Sequence, residues 1–183
     1  HERSPWFACA CCPSNLPRFM LSIPSHAYAV AGDRVFVNLF VQGAARLALS
    51  AGEVRLEQQT RYPWDGDIRI RVSPSKPGPF TLAVRVPGWA MYHPVPGNLY
   101  RAVAAGREPV TLRVNGLLVP IRLERGFALL TREWSAGDTV DLHLPMPVSR
   151  VVAHEAVTAD EGRVAVERAP LVYAAEFVDN GGL

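Results

Sequence analysis

Alternation of apolar and polar side chains dominates the chain from about Tyr28 onward. Ile68, Ile70 and Val72 alternate with Arg69 and Arg71, and Phe80, Leu82, Val84 and Val86 with Thr81, Ala83 and Arg85. The same period runs through Val110, Leu112 and Val114, and through Val140, Leu142, Leu144 and Met146. Successive strand side chains point to opposite faces, so each run predicts a half-buried antiparallel strand. Turn formers separate the runs: Gly32-Asp33, Asp65-Gly66-Asp67, Pro77-Gly78-Pro79, Asn115-Gly116, Gly137-Asp138 and Glu161-Gly162. The pattern predicts about ten short strands, hence a mainly β chain folded as an antiparallel, jelly-roll-like β-sandwich.

Helical spacing is confined to the start. Leu16, Met20 and Ile23 recur up to Pro24, with Ser14 placed to cap and Pro17 tolerable in a first turn. A lone short helix ahead of a sheet body reads as the tail of a preceding domain, with Pro24-Ser25-His26 as the junction. Between Pro87 and Arg107, where Pro94, Pro96, Gly97 and Gly106 fall, periodicity is weakest and a long loop or a break between sub-bodies is predicted.

Composition narrows the class. With 183 residues and 49% hydrophobic content, the chain can bury a core without disulfide or metal staples, which excludes a disordered or collagenous chain. No stretch approaches the roughly 18 uninterrupted apolar residues of a membrane-spanning helix. Nineteen Lys and Arg, all but Lys76 being arginine, are interspersed with 17 acidic residues. Arg55, Arg61, Arg69, Arg71 and Arg85 form no one-sided basic stripe, so nucleic acid is not an expected partner. Residue 1 is His and no signal-peptide pattern follows it, so the sequence reads as a piece of a longer protein.

The chemistry is concentrated in Cys9-Ala10-Cys11-Cys12-Pro13, which holds all three cysteines. Adjacent cysteines rarely close a relaxed disulfide, so a disulfide scaffold is disfavoured and a reducing compartment, the cytoplasm, is expected. Three readings are open on the residues alone: buried inert thiols, a soft-metal site, or a nucleophilic thiolate. Zinc wants four ligands; Cys11 and Cys12 supply two, and the nearby His1, Glu2 and His26 are not singled out by spacing.

The run Trp6-Phe7-Ala8-Cys9-Ala10-Cys11-Cys12-Pro13-Ser14-Asn15, with Arg18 after it, resembles the signature of glycoside hydrolase family 127, the β-L-arabinofuranosidase-type enzymes. Further islands resemble the same family in order: Tyr62-Pro63-Trp64-Asp65-Gly66, Arg85-Val86-Pro87-Gly88-Trp89, Val114-Asn115-Gly116 and Arg132-Glu133-Trp134 with Gly137-Asp138. Ala169-Pro170-Leu171-Val172-Tyr173, Glu176 and Asp179-Asn180 complete the series. Ala169 departs from the glycine that the family more often shows there.

The resemblance implies an (α/α)6 barrel carrying the active site, followed by β-sandwich domains. It implies Cys11 as nucleophile and zinc ligand and Cys12 as zinc ligand, with no transferred role for Cys9. The acid/base glutamate and the remaining zinc ligands of the family lie upstream of this signature. The expected domains are therefore 1–26 as the barrel's C-terminal end, 27–150 as the sandwich, and 151–183 as a further β segment on or after it. The expected partners are an oligosaccharide substrate, the upstream barrel and a possible homodimer mate. Zn2+ is expected in the complete enzyme but not held by this chain alone, which would be inactive and carry an apolar patch where the barrel docks.

The alternative is a non-catalytic sandwich or carbohydrate-binding module using Trp64, Trp89, Tyr92, Tyr100 and Trp134. Against it, Trp64 and Trp134 sit at strand-edge turns, where tryptophan plugs sandwich ends. His93, His143 and His154 show no metal-ligand spacing, and Asp65, Asp67, Asp138 and Asp179 read as turn formers.

Overall fold

The computed structural model describes residues 11–104, 106 and 108–181. One helix, α1 (Cys11–Ser22), leads through a 3-10 turn at Ile23–His26 into the strands. These are β1 (Tyr28–Ala31), β2 (Arg34–Val37), β3 (Gly43–Leu49), β4 (Gly52–Thr60), β5 (Asp67–Pro74), β6 (Gly78–Arg85), β7 (Tyr100–Ala104) and β8 (Thr111–Val114). There follow β9 (Leu117–Leu118), β10 (Leu123–Glu124), β11 (Phe127–Trp134), β12 (Asp138–His143), β13 (Ser149–Ala153), β14 (Ala165–Arg168) and β15 (Leu171–Tyr173).

Two sheets make the sandwich. One has the order β1-β2-β6-β11-β10 and the other β3-β4-β5-β12-β8-β9. All described pairings are antiparallel except β2 with β6, which is parallel. The alternation seen in the sequence sets the packing. Ile68, Ile70 and Val72 of β5 meet Leu82 and Val84 of β6 and Leu130 of β11 in one core, while Arg69 and Arg71 face outward. Gly66 must be glycine: its carbonyl accepts from Leu144 N at 2.8 Å, and a Cβ there would run into the Leu144 carbonyl oxygen.

Aromatic residues close both ends of the sandwich. Trp134 is fully buried against Phe80, with ring centroids 5.6 Å apart. At the opposite end Phe40 meets Tyr62 edge-on at 5.6 Å, and Tyr62 stacks on Trp89.

The predicted loop over 87–107 needs correction. It contains a 3-10 turn at Gly88–Met91 and the strand β7. β7 pairs with β13 in a third sheet of order β15-β14-β13-β7. Tyr100, Val103 and neighbours lack an alternating polar face, so their partner, far along the chain, makes them a strand. The helix also differs from expectation: it already includes Cys11, and Ser14 Oγ donates back to the Cys11 carbonyl oxygen at 3.0 Å instead of capping. Ala169 takes no positive φ, so the hairpin turn between β14 and β15 does not require the family's glycine.

Candidate active-site cysteines

Cys11 and Cys12 open the described part of α1, both exposed, with their Sγ atoms 3.7 Å apart. That is far beyond a disulfide bond of about 2.05 Å. It matches an edge of a tetrahedral thiolate site, since zinc–sulfur bonds of about 2.3 Å place two sulfurs about 3.8 Å apart. The pair therefore fits two corners of a zinc shell. Among the described residues no group of three or more His, Cys, Asp and Glu is placed to hold a metal.

Of the nearby residues weighed as ligands, His26 is separated from the thiols by the full length of α1, about 18 Å at 1.5 Å per residue. Cys9, His1 and Glu2 lie outside the described residues. About two turns beyond the thiols, Arg18 Nη2 donates to Asn15 Oδ1 at 3.0 Å, leaving the guanidinium exposed on the same helix.

The aromatic candidates separate cleanly. Trp134 Nε1 donates to the Phe80 carbonyl oxygen at 3.1 Å, as a buried indole requires. Trp89 is taken up by Tyr62, and Tyr100 Oη donates to Asp160 at 3.0 Å. Tyr92 Oη accepts from Glu108 N at 2.9 Å. Trp64 is the exception: it is 69% exposed, so it does not plug the sandwich end as expected. Its turn holds it out. Trp64 N donates to the Arg61 carbonyl oxygen at 2.9 Å, and Arg168 Nη1 donates to the Trp64 carbonyl oxygen at 2.8 Å. The flanking Pro63 and Gly66 were the sequence signal that this indole sits on a projecting turn.

Asp65 and Asp138 act within turns as expected, whereas Asp67 opens β5 and reaches across to β12. Asp65 accepts from Arg61 Nε at 2.7 Å and from Asp67 N at 3.3 Å; the Arg61 bond holds its carboxyl below the usual range. Asp138 accepts from Ser135 N at 2.9 Å and Asn115 Nδ2 at 2.8 Å. Asp67 meets His143 Nδ1 at 2.7 Å, while His154 Nδ1 accepts from Ala156 N. The side chain of Asp179 is outside the described residues. Gln58, Ser149 and Glu167 are buried polar residues that the sequence reading did not single out, and Thr81, placed on the polar face of its run, is buried too. No helix among the described residues is long and apolar enough to cross a membrane.

Comparison with known proteins gives this geometry its context. Residues 34–146 match the model of the "Beta-L-arabinofuranosidase, GH127 middle domain", and residues 148–183 the "Glycoside hydrolase family 127 C-terminal domain". The chain is 36% identical to a non-reducing end β-L-arabinofuranosidase of Bifidobacterium longum subsp. longum, over 99% of this chain and 25% of that protein. A solved GH127 β-arabinofuranosidase superposes with a TM-score of 0.89 at 42% identity, covering 98% of this chain and 28% of the other. A GH127 β-L-arabinofuranosidase from Geobacillus stearothermophilus T6 gives 0.82 at 40% identity, over 98% and 26%. The chain thus spans about a quarter of the length of the relatives it matches. It belongs to glycoside hydrolase family 127, whose middle and C-terminal domains it carries.

Proposed function

We propose that the chain is the C-terminal part of a retaining glycoside hydrolase that removes terminal β-L-arabinofuranosyl or related sugars, with Cys11 as nucleophile. The observation that carries this reading is the 36% identity to the Bifidobacterium enzyme across 99% of the chain. Retention follows from two displacements at one carbon. The Cys11 thiolate attacks the anomeric carbon, the bond to the leaving oxygen breaks, and that oxygen takes a proton from an acid in the rest of the parent. Water, deprotonated by the same group, then displaces the Cys11 sulfur and regenerates the thiolate. Cys11 and Cys12 would hold zinc, which when bound keeps a coordinated thiol deprotonated at neutral pH.

With two thiol ligands and no general acid assigned among the described residues, the isolated chain should be inactive; loss of general acid catalysis alone costs about 10²–10⁴-fold. A reducing compartment, the cytoplasm, suits two exposed thiols this close together. The test is hydrolysis of a chromogenic β-L-arabinofuranoside. The full-length parent should turn over, its Cys11→Ala variant should not, and the 183-residue chain should be silent. Undiminished turnover by Cys11→Ala would overturn the assignment.

A further inference from the structure

We propose that the polar cleft on the outer face of the sheet β3-β4-β5-β12-β8-β9 binds a neutral oligosaccharide. That the sugar belongs to the parent's own substrate class rests on the glycosidase reading above; the chemistry of the cleft does not.

The strand register builds the site. Gln59 of β4 stands opposite Arg69 of β5, Arg69 opposite Asp141 of β12, and Asp141 opposite Arg113 of β8. Two residues along, Asp67 stands opposite His143, and His143 opposite Thr111. The intervening Ile68, Leu112 and Leu142 are buried, so the strand period turns both rows outward. Together the two rows line a cleft of about 490 Å³. Neighbouring strands stand about 4.8 Å apart, so the four-strand row is about 14 Å long, room for about three sugar rings.

Two contacts hold the side chains in place before anything binds. Arg69 Nε donates to Asp141 Oδ1 at 2.6 Å, and His143 Nδ1 meets Asp67 Oδ1 at 2.7 Å. Each contact uses one atom of each group. The Nη groups of Arg69, the second carboxylate oxygens of Asp67 and Asp141, and His143 Nε2 are left for a ligand. Arg113 gives Nη1 to the Gly116 carbonyl oxygen at 3.1 Å and keeps its other donors. Gln59 and Thr111 make no side-chain hydrogen bond among the described residues. A ladder that merely stitched strands together would not need these two polar ends. Pairs this exposed, with Arg69 at 59% and Asp67 at 77%, also contribute little to stability.

The charge pattern selects the ligand. Arg69 and Arg113 are balanced by Asp67 and Asp141, so an anion meets two carboxylates and a cation two guanidinium groups. Along the first row a guanidinium donor, a carboxylate acceptor and a second guanidinium follow one another, with the Gln59 amide at the end offering both. A sugar hydroxyl donates and accepts at once, and a chain of hydroxyls satisfies such a row without bringing charge into it.

The experiment titrates the 183-residue chain with a β-L-arabinofuranosyl trisaccharide, and separately with inorganic phosphate, following backbone and arginine Nε–H signals by 15N NMR. The trisaccharide should shift residues of both rows saturably. Arg113→Ala and Gln59→Ala, at opposite ends of the row, should each weaken binding about tenfold, the worth of one hydrogen bond to the ligand, with Tm unchanged. A titration without saturable shifts overturns the proposal, as does wild-type affinity in both variants. Shifts with phosphate alone would make the cleft an anion site, and sugar-dependent shifts confined to residues outside the two rows would place the sugar elsewhere; the proposal falls in either case. Were either variant to melt lower, the wild-type shift map would decide by itself. The two readings fail separately: turnover by full-length Cys11→Ala defeats the glycosidase assignment and leaves the titration standing, whereas a silent titration leaves that assignment untouched.

Discussion

Trp134 of β11 donates its indole N–H to the carbonyl oxygen of Phe80 in β6 at 3.1 Å while its ring lies against the Phe80 side chain, closing one end of the sandwich. Both strands belong to the same sheet, in register at Arg132 and Phe80. Trp134→Ala removes a fully buried ring and should cost about 3–5 kcal/mol of stability, read as a fall in the urea midpoint. Trp134→Phe, which keeps an aromatic ring but loses the hydrogen bond, should cost less. Equal losses for the two would contradict this account.

Gly66→Ala tests the opposite end. Its methyl would run into the Leu144 carbonyl oxygen, backbone that cannot swing aside. Overpacking of this kind should destabilise by about 1–3 kcal/mol or more, seen as a lower Tm, whereas Gly78→Ala, with open space around its Cβ, should change Tm little.

Asp138 gives the chain an acid-sensitive turn. The Ser135 backbone N–H, with help from Asn115, holds its carboxyl below the usual 3.8. A carboxylate with a depressed folded pKa adds stability above about pH 4, lost as pH falls through the folded value. The Tm difference between wild type and Asp138→Asn should therefore be largest near neutrality and shrink below pH 4. A difference constant down to pH 2 would show that the charge is not what the turn uses.

Glu167 has the reverse sign. It lies in β14 opposite Ser149, 8% exposed, and burial pushes its carboxyl above the usual 4.5. The folded state then favours the protonated form, so stability falls as pH rises from about 4.5 through the folded value. Glu167→Gln should melt higher than wild type at pH 7 and equal to it at pH 3. A variant that melts lower at pH 7 would mean the carboxylate has a stabilising role.

The cysteine pair predicts a metal result. The 183-residue chain, loaded with zinc and buffer-exchanged, should retain well under one zinc per chain, because two thiolates fill half of a four-ligand shell. Stoichiometric zinc, lost in Cys12→Ser, would show that the chain completes the shell itself.

The sequence by itself determined the clearly alternating strands β5, β6, β8 and β12 at the centre of the two large sheets. Period-two alternation through residues such as Ile68–Val72 and Leu82–Val86 assigns each side chain to core or solvent, and that assignment alone makes a sandwich. It also carried the family likeness and the Cys11-Cys12 pair, both local in the chain. Tertiary structure decided what depends on distant partners. β7 is a strand because β13 lies beside it, about 50 residues on, and not because of its own pattern. Trp64 and Trp134 both stand at strand-edge turns, yet one is held out by Arg168 from another sheet and the other drawn in by Phe80. Period and composition specify which face of an element is apolar; whether that face is covered, and by what, depends on the surfaces the fold brings against it.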